Sequence, residues 1–390
     1  MKNAYYDIAI IGGGASGLML AANLDLMGAP GIVLEGSRVL GSKLLMSGGG
    51  RCNITHGGSI KDFINAYGEA GPVMRKCLYR HSNLGLMKWF EDRGLELKDE
   101  DGRVFPASGR AMDVLDTLLD EAASNLWQIG SGAKVTGLRE ADGLWDITLD
   151  GGYIIRARNA VIAAGGITYP ETGSDGSMLG ILKDLGIEIT DPRPALAPVY
   201  AEDYPYADLA GISLKDVSVT AFSSDAAHTC KGKAARMTGD ILFMHDGFSG
   251  PAVLNISRYA EPGEKIRFSY NKELRELPKR MQKALQDRAR GDSGDIKTTV
   301  LAALLDHDDF TVKAVDKRGM VTAGGVLLDE VDMSTMRVKR YGGRGEESPA
   351  GPALYVIGEA LDADGITGGY NLQMCWSTAC TCAEDLKGIQ

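Results

Sequence analysis

Residues 5–36, YYDIAIIGGGASGLMLAANLDLMGAPGIVLEG, read as a strand, a tight turn, a helix and a second strand. Ile8, Ile10 and Ile11 supply a β-branched run suited to a buried strand, and Gly12-Gly13-Gly14-Ala15-Ser16-Gly17 follows directly in the pattern G-x-G-x-x-G. Each position has a mechanical reason. Gly12 permits the turn, Gly14 lets backbone amides come close to a pyrophosphate, and Gly17 lets the helix pack on the strand. Ala15 and Ser16 open that helix, whose N-terminal amides carry partial positive charge. Leu18, Ala21, Ala22 and Leu24 give it an apolar face, Gly28 is expected to end it, and Ile32, Val33 and Leu34 form the second strand. Glu35 closes that strand at close to the roughly 20-residue spacing of an acid that hydrogen-bonds an adenosine ribose, and its charge repels a 2′-phosphate. The pattern predicts an α/β dinucleotide-binding domain for FAD or NAD rather than NADP.

Distant segments separate those two. Residues 353–386, ALYVIGEALDADGITGGYNLQMCWSTACTCAEDL, read as a buried strand, Gly358-Glu359, a loop rich in Asp and Gly, and a helix starting near Asn371. A last strand that returns to the first domain suits FAD: Glu359 is placed at the ribitol or pyrophosphate. Gly369, Tyr370, Asn371, Leu372 and Gln373 then aim a helix N-terminus at the flavin pyrimidine edge, where reduced flavin is negative. Between the two ends, ARNAVIAAGGITYPETGSDG (157–176) gives another buried strand closing on Ala164-Gly165-Gly166, a turn on which a cofactor can rest, and Val135 is the expected backbone contact for adenine. MSGGGRCNITH (46–56) follows the ribose-binding strand, and there Gly48 to Gly50 allow close backbone approach while Arg51, Cys52 and Asn53 offer groups to the cofactor. Cys52 has no second cysteine in C-x-x-C or C-x₄-C spacing, so it reads as a small residue packed near the ring rather than a redox thiol.

Composition narrows the function classes. The 390 residues are 44% hydrophobic and 24% charged, an ordinary globular balance with room for two or three domains, and the 51 glycines follow no period. A formal charge of −10 disfavours a broad nucleic-acid surface and favours a small neutral or cationic substrate. No uncharged apolar stretch approaches the ~18–20 residues that span a bilayer, and Asp7 with the glycine cluster interrupts any signal-like segment, so a cytoplasmic protein without membrane partners is expected. Six cysteines without a CxxC pair indicate neither a dithiol centre nor a metal site, and Cys380 and Cys382 read as small helix residues. Nothing in the pattern fixes an oligomeric state.

The chain resembles the bacterial flavoprotein family that includes BaiN and the aminoacetone-oxidase-like proteins. The likeness runs through the N-terminal fingerprint, GSKLLMSGGGRCNIT, VFPASGRAMDVLDTL, AAGGITYPETGSDG, FMHDGFSGPAVLNIS, VTAGGV and GEALDADGITGGYNLQ. It adds Lys43 and Ser47 to the cofactor-binding set. It implies a discontinuous Rossmann-type FAD-binding domain with an inserted β-barrel-like domain and a small helical domain. The change after Pro192-Arg193-Pro194 to short strands, and the charged helical pattern of 271–317, place the parts. The expected limits are 1–193 for the first part of the FAD domain, 194–270 and 318–340 for the β-rich insertion, 271–317 for the helical part, and 341–390 for the return. Two stretches depart from the family: YGGRGEESPAG (341–351), read as a surface loop, and STACTCAED (377–385), where a more glycine-rich helix start is expected.

For chemistry, His245, Tyr169 and Tyr370 are the candidate proton donors, and Arg110 either orients a substrate carboxylate or pairs with an acid. The resemblance to BaiN implies hydride transfer through flavin N5 to a C=C bond conjugated to a carbonyl, as in oxo-steroids or bile-acid intermediates. NAD(P)H would serve as transient electron donor, since no second G-x-G-x-x-G offers a nicotinamide domain. The alternatives are an amine oxidase acting on aminoacetone-type substrates with release of peroxide, and a flavin redox sensor that turns over nothing.

Overall fold

A computed structural model describes residues 4–222, 234–290, 298–341 and 351–388. The chain forms two compact units, Met1–Arg193 with Val321–Gln390, and Pro194–Met320. The first unit is built on a twisted sheet whose centre is parallel. Strand Tyr5–Ile11 lies between Gly31–Glu35 and Ile154–Ile162, with Ile10 opposite Val33 on one side and Val161 on the other. Gln128–Ser131 extends the sheet beyond the second strand, and Ala353–Val356 returns beside Ile154–Ile162. Both neighbours and both faces cover the first strand, which explains its uninterrupted apolar run. Ile8, Ala9 and Ile10 are buried, as are Val33, Val161 and Leu354.

The first helix, Ala15–Asn23, is shorter than the sequence suggests. Gly28, with φ +92°, sits in the turn before the second strand and is not the helix cap, because Leu24 already adopts an extended backbone. The last helix, Tyr370–Lys387, is buried on nearly every side, including Gln373, Trp376, Ser377 and Thr378. STACTCAED is therefore the middle of this helix and not its start. Its hydroxyls bond back to the chain, Thr378 to the Met374 carbonyl and Thr381 to the Ser377 carbonyl, so small polar residues can be buried without orphaned groups.

In the second unit six strands close a barrel, in the order Val199–Ala201, Gly247–Ser249, Ala235–Phe243, Ser213–Phe222, Lys265–Ser269 and Asp308–Val315. Closure removes the exposed edges that short strands would otherwise present. Aromatic rings fill it, with Phe248 and Phe268 at 4.1 Å between centroids. Asp308 is fully buried and accepts hydrogen bonds from the hydroxyls of Tyr206 and Tyr270 and from Arg288 on helix Lys279–Arg290.

Two expected limits change. Within 318–340, strands Val321–Val326, Val331–Asp332 and Arg337–Val338 belong to the first unit; the latter two join its main sheet through Arg337 opposite Tyr355. Within 271–317, the helices Lys279–Arg290 and Thr298–Asp306 share the second unit with strand Asp308–Val315, which alternating side chains commit to the barrel. Most of YGGRGEESPAG lies outside the described residues. No described helix is long and apolar enough to cross a membrane.

Candidate functional site

Three glycines of the fingerprint have different reasons for being glycine. At Gly12, φ is +115° and a Cβ would lie 2.3 Å from the Ala163 carbonyl oxygen; at Gly17 it would lie 1.9 Å from the Gly12 carbonyl oxygen. Chain packing requires both. Gly14 differs: it is the N-cap of the first helix at φ −89°, and a Cβ there would meet nothing within 4 Å. The protein's own packing makes no demand for glycine at that point, so the space is a cradle open to a bound group. The helix behind it has no side-chain cap and no acid in its first turn, leaving its amides to an anion.

Glu35 stands beside this cradle, 7% exposed. Gly13 N–H donates to one carboxylate oxygen at 2.8 Å and Ser37 N–H to the other at 2.7 Å. Two backbone donors orient the carboxylate and leave each oxygen further acceptor capacity for ribose hydroxyls. Ala133 N–H donates to the Glu35 carbonyl and Gly132 N–H to that of Ser37, which brings the start of strand Val135–Ala141 next to the turn after Glu35. Val135 is so placed beside the expected adenosine end.

Lys43, Thr168 and Glu359 form a second cluster. Lys43 Nζ lies 2.7 and 2.8 Å from the Glu359 carboxylate oxygens and 2.7 Å from Thr168 Oγ1, and Thr322 N–H donates to Glu359 at 2.8 Å. Thr322 Oγ1 in turn accepts from Ile167 N–H at 2.8 Å, and a Cβ at Gly166 would lie 2.1 Å from that oxygen. Gly358 is held equally closely: a Cβ there would meet Ser16 Oγ at 2.0 Å. Tyr169, at φ +57°, follows in this loop with Lys43 Nζ 6.0 Å from its ring centroid. Ala164 and Gly165 begin the same turn, and Ser174, whose hydroxyl has no partner among the described residues, lies against Gly165. Thr168, Thr322 and Ser174 were not singled out from sequence, since isolated hydroxyl residues carry no spacing signal; Thr322 does stand inside the VTAGGV motif.

The opening loop is a left-handed turn. Gly48, Gly49 and Gly50 have φ of +57°, +68° and +86°, and Cys52 follows at +58°. Ser47 accepts from Cys52 N–H at 3.0 Å, closing the turn. Cys52 is fully buried, and burial pushes its thiol up to about 12 against a smaller opposing hydrogen bond with Ser47. A thiol so held is no thiolate nucleophile. Arg51 turns aside to Glu100 at 2.6 Å and stacks on Phe105 at 4.1 Å, so its side chain is committed to the protein. The Asn53 amide, oriented to satisfy both its ends, donates to the Thr55 carbonyl at 2.9 Å and accepts from Gly369 N–H at 3.0 Å. It thereby ties the loop to the start of the last helix.

That helix has Gly369 as N-cap and no side-chain cap. The side chains of Asn371 and Gln373 face inward: Asn371 exchanges two 2.8 Å hydrogen bonds with the Gly365 backbone, and Gln373 accepts from Thr55 at 2.6 Å. What this segment offers a cofactor is the first-turn amides around Tyr370, Asn371 and Leu372. Tyr370 stacks on His56 at 5.0 Å and 14°, meets the edge of Phe63 at 4.9 Å, and its carbonyl accepts from Tyr67 at 2.6 Å. Burial and the charge of Asp62 push its phenol up.

Two further candidates take no part in the contacts described above. Arg110 pairs with Asp113 at the start of helix Ala111–Ser124, its Nε 3.1 Å from the carboxylate. His245 is an exposed turn residue between strands Ala235–Phe243 and Gly247–Ser249 of the second unit, apart in the chain from the residues that form the clusters above. A cavity of about 200 Å³ behind the last helix, lined by His81, Trp89, Cys380 and Glu384, contains none of the predicted site residues.

The residues fit a dinucleotide that carries a flavin: an open glycine cradle at a bare helix start, an oriented ribose acid, and a second bare helix start tied to the loop beside it. The fold is shared with flavoenzymes. Rhodococcus jostii 3-ketosteroid-Δ4-(5α)-dehydrogenase superposes with a TM-score of 0.51 over 98% of each chain at 14% identity. Escherichia coli quinol fumarate reductase does so with a TM-score of 0.53 at 15% identity, over all of this chain and 71% of its own. Sequence relatives are nearer. The Haemophilus influenzae protein named ribosomal RNA dihydrouridine synthase is 27% identical over 97% of this chain and 98% of its own length. The Clostridium scindens 3-dehydro-bile acid Δ(4,6)-reductase is 27% identical over 95% of this chain and 96% of its own. Residues 6–385 match the family described as HI0933-like protein Rossmann domain, and the chain belongs to that family of FAD-dependent oxidoreductases.

Proposed function

We propose that this protein reduces a C=C bond conjugated to a carbonyl, with NAD(P)H as electron donor. The observation that carries the reading is Tyr370, a phenol at the bare start of the last helix whose hydroxyl has no hydrogen-bond partner among the described residues, from where it would give a proton to a substrate lying at the flavin. The two kinds of relative also favour it. A Δ(4,6)-reductase of a 3-oxo bile acid and a dihydrouridine synthase share one act, since the uracil 5,6 double bond is conjugated to a carbonyl as the steroid double bonds are.

FAD, when bound, supplies hydride at its N5. The chain's own residues do the rest. Amides at Gly14 to Ser16 would hold the pyrophosphate, Glu35 the ribose, and Lys43 with Glu359 would offer a paired charge to the cofactor. The first-turn amides of helix Tyr370–Lys387 stabilise negative charge on the pyrimidine edge. Tyr370, or Tyr169 from the Lys43 loop, gives the proton.

The net charge of −10 disfavours a broad nucleic-acid surface and favours a small neutral oxo-steroid as substrate. The name of the Haemophilus relative favours a second reading, a uridine in ribosomal RNA. Reduced holoprotein mixed anaerobically with a 3-oxo-Δ4 steroid, and separately with unmodified ribosomal RNA, decides between them by which one restores the oxidised flavin spectrum. Reoxidation by neither, with peroxide formed from an amine in air, would replace both by the oxidase reading.

A further inference from the structure

Three rings pack against that of Tyr370, and its backbone is tied by a hydrogen bond. His56 lies flat on its ring, with centroids 5.0 Å apart and planes 14° apart. Phe63 and Tyr67 meet it edge-on at 4.9 and 6.3 Å. The carbonyl of Tyr370 accepts from the Tyr67 hydroxyl at 2.6 Å, so backbone and ring are both fixed. His56 is itself anchored, its Nδ1 2.6 Å from the Gly57 carbonyl, which requires the Nδ1–H form. Two glycines keep room for this stack: a Cβ at Gly102 would lie 2.6 Å from the His56 ring, and one at Gly368 would lie 3.2 Å from His56 and 3.3 Å from Tyr370.

A phenol packed among three rings for apolar filling alone would be no better there than phenylalanine. Here the hydroxyl has no hydrogen bond to any described residue although Tyr370 as a whole is buried. The geometry points to His56 as the positioning residue that holds the Tyr370 hydroxyl in the pose from which it protonates the substrate carbon next to the carbonyl. The inference rests on the reductase reading above and assigns the proton half of it. With hydride supplied by the reduced cofactor to the far carbon of the double bond, the π electrons would move onto the near carbon and the carbonyl oxygen. The O–H bond of Tyr370 then breaks as a C–H bond forms at the near carbon, and the phenolate regains its proton from water. His56 contributes a flat surface and takes no proton in this scheme. The charged or titratable groups around the His56–Tyr370 pair are Asp62, on the helix that carries Phe63, and the Tyr67 phenol, both beside Tyr370, and Asp99, against Gly57.

The test needs a structural readout and a kinetic one. Apoprotein labelled at tyrosine ring carbons is compared by NMR, with Tyr370→Phe identifying the Tyr370 signals. A ring clamped by stacking flips slowly and shows two separate signals for its paired edge carbons, and His56→Ala merges them. Fast flipping in the unmodified protein overturns the clamp whatever the substrate proves to be. In holoprotein, Tyr370→Phe and His56→Ala slow flavin reoxidation by the enone by roughly a hundredfold, far more than they slow flavin reduction by NAD(P)H. His56→Phe, which restores a flat ring without an imidazole, recovers most of the loss. A His56→Phe protein as slow as His56→Ala, with its ring signals separate, would make the imidazole a chemical participant and overturn the positioning role. Normal reoxidation in Tyr370→Phe would remove Tyr370 as the acid. Failure of every enone and RNA substrate with unmodified protein counts against the reductase reading itself, which the NMR comparison does not share.

Discussion

Gly14→Ala separates a glycine kept for the cofactor from one kept for the fold. The residue has φ −89° and ψ −163°, a backbone any amino acid adopts, and its Cβ would meet no protein atom within 4 Å. In the absence of FAD the substitution costs no packing and narrows the unfolded ensemble, so the apoprotein gains about 0.4–1 kcal/mol, a rise in melting temperature of roughly 1–3 °C. With FAD the added methyl stands where the pyrophosphate approaches the amides. Losing one or two charge-assisted hydrogen bonds at about 1.5–3 kcal/mol each weakens binding by roughly ten- to a thousandfold or more. Gly12→Ala behaves oppositely, because its Cβ would lie 2.3 Å from the Ala163 carbonyl at φ +115°, and it destabilises the apoprotein by about 2 kcal/mol or more. Melting curves of both apoproteins and fluorescence titration with FAD read the two effects. A Gly14→Ala protein that binds FAD within threefold of normal, or whose apoprotein melts as early as Gly12→Ala, would refute the cradle.

Other outcomes follow from the same contacts. Glu35→Ala frees the Gly13 and Ser37 amides and weakens FAD retention about ten- to a hundredfold, measured by equilibrium dialysis, while circular dichroism stays unchanged. Cys52→Ser keeps FAD and most turnover; and since burial raises the thiol from 9.0 to about 12, its contribution to stability is present below pH 9 and is lost as pH rises towards 12, which melts across that range detect. Arg288→Met strands Asp308 in the barrel and costs about 3 kcal/mol in chemical denaturation. Burial already raises the Asp308 carboxyl, so this variant regains stability as pH falls and the acid takes up its proton, and a flat profile from neutral pH downward would contradict the pairing.

The strand, glycine turn, helix and second strand that end on Glu35 were legible because their geometry is local. Strand, G-x-G-x-x-G, helix and Glu35 fall within residues 5–36, and the chain folds them into adjacent elements without help from elsewhere. The return of Ala353–Val356 and the left-handed turn at Gly48 to Gly50 were readable for a similar reason: apolar runs and consecutive glycines state their backbone directly. What stayed hidden depends on contacts between remote residues. Lys43 meets Glu359, and His56 meets Tyr370, across more than 310 positions of chain, with no spacing rule to join them. The side-chain directions of Asn371, Gln373 and Arg51 were also hidden, because a polar residue at a helix start or glycine turn can face ligand or protein. Strands near 321–338 were assigned to the wrong unit since short alternating segments look alike in a barrel and at a sheet edge.

The central claim is flavin-dependent reduction of a carbonyl-conjugated double bond, and one anaerobic measurement addresses it. Holoprotein is reduced photochemically, so that no nicotinamide is needed, and mixed in a stopped-flow cell with a 3-oxo-Δ4 steroid or with unmodified ribosomal RNA while flavin absorbance is followed and product mass is taken. The account predicts that one of them restores the oxidised flavin spectrum and gains two hydrogens per flavin. A flavin that stays reduced with both, yet reoxidises in air with stoichiometric peroxide, would contradict it.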